Sequence, residues 1–221
     1  GAASNLMLSK RDISLNGLKS LSESAAEYLG HHKGCSLSLE GLEAISDHVA
    51  NELAKHKGDI LHLGGLKNIT YAAAKALARR KRRSLFLGGL HSISEECAKA
   101  FGKHEGYLHL CGLRIISDAA QESLAKSKRG FLSLRSLERL SDSAAVSFAA
   151  NVRHLDLSGL SELSDSAAEI LASHNGPLCL NGLKQISKNS AEALGRHQGS
   201  LSLNQIGKIS DSAIQALAKH R

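Results

Sequence analysis

The 221-residue chain contains no tryptophan and only 3% aromatic residues, four phenylalanines and three tyrosines. That is too few to support many stacking platforms for bases, so nucleic acid is disfavoured as a partner. Long apolar runs are missing as well. No stretch approaches the ~20 residues that cross a bilayer, and the first residues show no basic segment followed by an apolar stretch and a cleavage site. The expectation is a soluble protein, cytoplasmic or otherwise intracellular, with no membrane partner. The four cysteines (Cys35, Cys97, Cys111 and Cys179) have neither CxxC spacing nor the density of a disulfide scaffold, which fits a reducing compartment. Catalytic signatures are absent too: there is no HExxH, GxGxxG, GxxxxGK[ST] or GxSxG. The chain therefore reads as non-enzymatic, with no catalytic residue, cofactor or metal expected.

What the chain has in abundance is self-similarity, and a fixed period decides the fold before any local reading. The string Leu-x-Leu-x-Gly-Leu-x-x-Ile-Ser recurs nine times, its first apolar residue at 13, 37, 61, 85, 108, 132, 155, 178 and 201, a spacing of 23 or 24. A segment of the type Asp-x-Ala-Ala-x-x-Leu-Ala-Lys-His follows each string, so one unit reads strand, turn, helix. Leu15, Leu39, Leu63 and their equivalents alternate with polar residues, as a half-buried strand requires. Glycine precedes the next apolar position (Leu18, Leu42, Leu66 and so on) in seven units, which points to a bend at the strand exit. A hydroxyl occurs in every unit (Ser22, Ser46, Thr70, Ser94, Ser117, Ser141, Ser164, Ser187, Ser210) and an acid follows it in seven. That pair reads as a helix N-cap with a first-turn carboxylate facing the helix dipole. Seven residues past each cap sits Leu or Phe, with mostly Ala, Val or Cys at three and four past it. Those offsets make one apolar helix face.

The Leu-x-Leu core and the Ile-Ser-Asp helix start, repeated across about 13–221, resemble the leucine-rich repeat family, in particular short bacterial-type repeats that carry a true helix. The resemblance implies an α/β fold, a right-handed horseshoe solenoid with a parallel sheet on the concave side and helices on the convex side. Residues 1–221 then form one domain of nine repeats, with 1–12 as a flank that is a partial repeat or an expression scar. Where many members of that family place Asn or Cys in the turn, this chain has Leu18 and its equivalents, so the backbone there must find other partners. The last unit keeps the full apolar pattern (Leu201, Leu203, Ile206, Ile209, Ile214, Leu217), and only Leu6, Met7 and Leu8 are available to cover the first. A solenoid end without a polar cap suggests a longer array or self-association through the ends.

Candidate sites follow from where the pattern varies. On alternate strand positions pointing away from the core, units three to seven read Ile60/His62/Gly64, Ser84/Phe86/Gly88, Tyr107/His109/Cys111, Phe131/Ser133/Arg135 and His154/Asp156/Ser158. With strands ~4.8 Å apart, Phe86, Tyr107 and Phe131 are expected to form one patch in a polar rim, a hot-spot arrangement for a protein or peptide partner. Ile60, His62, Phe86, Tyr107, His109, Phe131 and Arg135 are the candidate binding residues. Because these side chains point outward, removing Phe86 and Tyr107 is expected to leave melting nearly unchanged. The alternatives are a structural spacer within a larger protein and an anion or nucleic-acid binder. The net charge is +7, and 18 of the 28 Lys and Arg lie between a helix end and the next strand, Lys10, Lys128, Arg129 and Arg221 among them. The densest run is Arg79, Arg80, Lys81, Arg82 and Arg83, the candidate anion-binding segment. His32, His56, His104, His174, His197 and His220 recur at helix ends. They could form a metal- or pH-sensing ladder, or terminate helices by bonding the last carbonyls. No carboxylate or Cys recurs beside them to complete a metal shell, so termination is expected.

Overall fold

Each unit folds as the pattern requires. A computed structural model describes residues 11–126 and 130–220. The first ten residues (with Leu6, Met7, Leu8 and Lys10), Lys128, Arg129 and Arg221 lie outside the described residues. The strands are β1 (Ile13–Ser14), β2 (Ser36–Ser38), β3 (Ile60–His62), β4 (Ser84–Phe86), β5 (Tyr107–His109), β6 (Phe131–Ser133), β7 (His154–Asp156), β8 (Leu178–Cys179) and β9 (Leu201–Ser202). The helices alternate with them: α1 (Glu23–Gly30), α2 (Asp47–Ala54), α3 (Tyr71–Ala78), α4 (Glu95–Phe101), α5 (Asp118–Ala125), α6 (Asp142–Asn151), α7 (Asp165–Ala172), α8 (Lys188–Leu194) and α9 (Asp211–Leu217). Among the described residues the nine strands form a single open parallel sheet in sequence order, β1 to β9. Equivalent leucines pair across it, Leu37 with Leu61, Leu61 with Leu85, and so on to Leu178 with Leu201. The chain is an α/β solenoid-like repeat.

The core lies between sheet and helices. Leu37, Leu61, Leu85, Leu108, Leu155 and Leu178 are fully buried, as are Leu53, Leu77, Phe101, Leu124, Phe148, Leu171 and Leu194 from the helices. Burying one such side chain is worth ~1.5–3 kcal/mol, and a short strand of two or three residues holds only because its neighbours extend the same stripe on both sides. Cys97 is part of this core. In the last unit Leu201, Leu203, Ile206 and Leu217 are only partly covered.

All nine expected hydroxyls are N-caps, each accepting from the backbone N–H three residues ahead, as Ser94 does from Cys97 at 3.2 Å. The turn that lacks a side-chain amide is closed by the backbone instead. In eight units the N–H of the turn leucine donates to the carbonyl three residues back, for example Leu42 to Leu39 at 3.2 Å and Leu137 to Leu134 at 2.9 Å.

The turn glycines need a different explanation from the one expected. No described glycine has a positive φ. A Cβ on Gly41, Gly65, Gly89 or Gly112 would run into backbone carbonyls of the preceding unit. These glycines sit in the turn at the strand exit without a positive φ, and their missing Cβ lets successive backbones touch.

The helix-end imidazoles also differ from expectation. His32, His56, His104, His174 and His197 are buried; His56, His104, His197 and His220 bond the preceding unit rather than their own helix, while His32 Nδ1 accepts from the Gly34 N–H at 3.3 Å. His56 Nδ1 lies 3.1 Å from the His32 carbonyl, His197 Nε2 lies 3.0 Å from that of Gly176, and His220 Nε2 lies 2.9 Å from that of Gly199. His104 sits between the carbonyls of Ala78 (3.3 Å) and Arg83 (3.0 Å). Neighbouring rings stack, His32 on His56 with centroids 5.8 Å apart, and His174 on His197 at 5.9 Å. Burial, reinforced by the nearby Arg80 charge, pushes His56 down to about 4, and burial likewise lowers His104, His174 and His197. His56, His104, His174 and His197, whose burial disfavours the charged ring, are therefore seams between units and not cationic helix ends.

Candidate functional site

The outward face of the sheet carries three columns of side chains, set by the pairing register. The first runs Ile60, Ser84, Tyr107, Phe131, His154, and the second His62, Phe86, His109, Ser133, Asp156. Phe86 and Tyr107 therefore stand in different columns and do not adjoin directly. His109 joins them. Phe86 is sandwiched between His62 (centroids 4.3 Å apart, planes 25°) and His109 (3.9 Å, 6°), and His109 then meets Phe131 at 5.0 Å. Phe131 also contacts Tyr107 at 5.6 Å and the edge of His154 at 4.4 Å. The result is one array of six rings. It contains five of the seven candidate residues, His62, Phe86, Tyr107, His109 and Phe131, and adds His154, whose single imidazole among polar strand residues gave no sequence signal of its own.

The array is half-buried except for Tyr107, which is 55% exposed. Burial, with the neighbouring His62 charge next in weight, holds His109 down to about 4, and burial also lowers His154. Ile60 flanks the array in the first column, beside Ser84.

Beside the rings, Asp156 is nearly buried and its carboxylate is fully engaged. It accepts from the Ser133 hydroxyl (3.3 Å), from the Ser158 hydroxyl and amide (2.6 and 3.1 Å), and pairs with Arg135 Nε at 3.3 Å. Arg135 itself remains exposed, and Asp156 is the partner that holds it. A repeated pattern hides such residues, because Asp and Ser on an outward strand position look like ordinary surface.

The basic run does not form one surface. Arg79 and Lys81 line a cavity of about 360 Å³ on the helix side, together with Lys75, Lys99 and Lys103. Arg80 turns inward: its side chain is buried, and its guanidinium donates to the carbonyls of His56 and, at 3.0 Å, Gly58. Burial, with the neighbouring Arg83 charge, lowers it to about 10. Arg80 occupies the seam position that His56 and His104 hold in adjacent units, and this removes it from the anion-binding set. Arg83 is half-buried, with its carbonyl accepting from His104. Arg82 lines a different groove, of about 810 Å³, with Tyr107, Phe131, Arg153 and His154, and Glu105 borders both this groove and the first cavity.

Among the described residues, no three His, Cys, Asp or Glu are grouped as metal ligands, and no helix is long and apolar enough to cross a membrane. Compared with models of known protein families and with curated proteins, the chain matches none of either.

Proposed function

We propose that this chain is a non-enzymatic interaction module of the leucine-rich-repeat type, which binds a protein or peptide on the outward face of its sheet. The observation that carries this reading is the ring array from His62 to His154. Rings held in place by their neighbours lose little conformational freedom on binding, and clustered, partly exposed aromatics are the usual anchors of protein interfaces. A spacer would need the core and the seams but not this face.

The test is an affinity capture that compares the wild-type chain with the Phe86→Ala/Tyr107→Ala/Phe131→Ala variant, with circular dichroism showing that both are folded. Loss of the captured partner, of the order expected when hot-spot aromatics are truncated (a few kcal/mol), supports the reading. Capture that is unchanged in a folded variant refutes it and favours the spacer.

A further inference from the structure

The two arginines in the 810 Å³ groove stand where the repeat otherwise demands glycine. Twelve residues past the cap hydroxyl, five units carry Gly34, Gly58, Gly106, Gly176 and Gly199, and three carry Arg82, Arg129 and Arg153. Arg129 lies outside the described residues. The glycines are forced by contact: a Cβ at Gly34, Gly58, Gly106, Gly176 or Gly199 would collide with a backbone carbonyl of the preceding unit. Arg82 cannot sit as those glycines do. Its backbone instead takes φ 57°, the left-handed region, and it is the one non-glycine residue to do so among the described residues. A long side chain held in the left-handed region, at a position where five units carry glycine, is the kind of local exception that functional sites show.

The surroundings say what this exception is for. Both guanidiniums are exposed, and neither forms an ion pair among the described residues. The groove's carboxylate, Glu105, is paired with Lys81 at 3.6 Å, and the nearest acid on the sheet face, Asp156, is sequestered by Arg135, Ser133 and Ser158. The groove's own rings meet at angles: Phe131 is tilted 31° from Tyr107 and stands 65° to His154, while the face-to-face stack of His62, Phe86 and His109 lies outside the groove lining.

We infer that this groove binds an acidic, extended polypeptide segment, with carboxylates on Arg82 and Arg153 and the intervening residues over Tyr107, Phe131 and His154. This names the partner chemistry for the sheet-face reading and rests on it. Arg82 precedes β4 and Arg153 precedes β7, three strand spacings or about 14 Å apart. An extended peptide rises about 3.3 Å per residue, so the paired acids should stand about four residues apart.

The experiment uses a random library of displayed twelve-residue peptides selected on the whole chain, with an oligothymidylate as a second probe. Selected peptides should be rich in Asp and Glu about four positions apart. They should bind at least tenfold more weakly to Arg82→Ala/Arg153→Ala and weaken as sodium chloride rises from 50 to 250 mM. Arg82→Glu/Arg153→Glu should select basic peptides instead. Because both side chains are exposed, the variants should retain the wild-type circular dichroism spectrum. Failure to enrich any peptide, enrichment of neutral or basic ones, or tighter binding of the oligothymidylate overturns the inference. Peptides that lose affinity to the triple ring variant but not to the arginine variants overturn it while leaving the sheet-face reading intact.

Discussion

Replacing His56 by glutamine should remove a measurable part of the chain's acid sensitivity. His56 is fully buried, stacked on His32, and faces the Arg80 guanidinium, whose hydrogen bond to the His56 carbonyl keeps that positive charge close. The folded seam therefore holds a neutral imidazole down to a pKa of about 4, whereas an unfolded chain protonates it near 6.5. Between those values the unfolded state binds more protons, so stability rises with pH and is lost as pH falls from about 6.5 towards 4. At pH 5 that loss is about 2 kcal/mol for His56 alone, at 1.4 kcal/mol per tenfold. His104, His174 and His197 shift in the same direction and steepen the trend. Carboxylates held low, such as Asp165, act only below this window. Urea unfolding followed by circular dichroism at pH 7.5 and pH 5.0 measures the difference. The wild type should lose stability between the two, and His56→Gln should lose about 2 kcal/mol less. Equal losses in both proteins would show that His56 is not a desolvated neutral ring, and the seam argument would fall with it.

Three further outcomes follow from contacts described above. Gly106→Ala drives a Cβ into the backbone of Arg83 and should cost about 1–3 kcal/mol or more, whereas Gly88→Ala, with nothing within 4 Å, should be neutral or slightly stabilising, as denaturation midpoints will show. Ser187→Ala removes the cap on Ser190 N–H and a donor to Asp165; the helix should lose about 1 kcal/mol, and the Asp165 carboxyl, followed by NMR titration, should move back up towards its ordinary value because that donor is the first cause of its lowering. Phe86→Ala breaks two ring stacks and should cost about 1–3 kcal/mol, while Tyr107→Ala, with its ring mostly in water, should cost under about 1 kcal/mol; equal melting of the two variants would refute the sandwich.

The strands, the helices, the caps and the buried leucines were legible because each is written nine times, and nine readings of Leu-x-Leu or of a cap hydroxyl leave little room for another period. What the repeat could not reveal is three-dimensional neighbourhood. Phe86 and Tyr107 look adjacent from strand to strand, yet the register puts them in different columns with His109 between. The ring stacks on both sides of Phe86 are why unequal effects on stability are now expected of the two residues. The imidazoles recur at helix ends, and only the packing shows that the end of one helix is the inside of the next junction. The run from Arg79 to Arg83 reads as one charge cluster, but successive residues in a turn face different ways, and Arg80 fills a histidine seat. The His-x-Gly spacing, read with its exceptions at Arg82 and Arg153, was the available signal for the groove.

The cap hydroxyls have a consequence beyond their own helices. At four junctions the hydroxyl that accepts from its helix also donates backward to the first-turn acid of the preceding unit: Thr70 to Asp47, Ser117 to Glu95 at 3.4 Å, Ser164 to Asp142 at 3.0 Å, and Ser187 to Asp165. At these four junctions one unit offers an acid forward and the next a hydroxyl back, like a plug and socket with a fixed direction. Copying a stretch of 23 or 24 residues that carries both the acid and the following hydroxyl reproduces such a joint. Tyr71 and Lys188, which follow their caps where an acid would stand, are the places where this grammar lapses and where a recombined array would be joined least firmly.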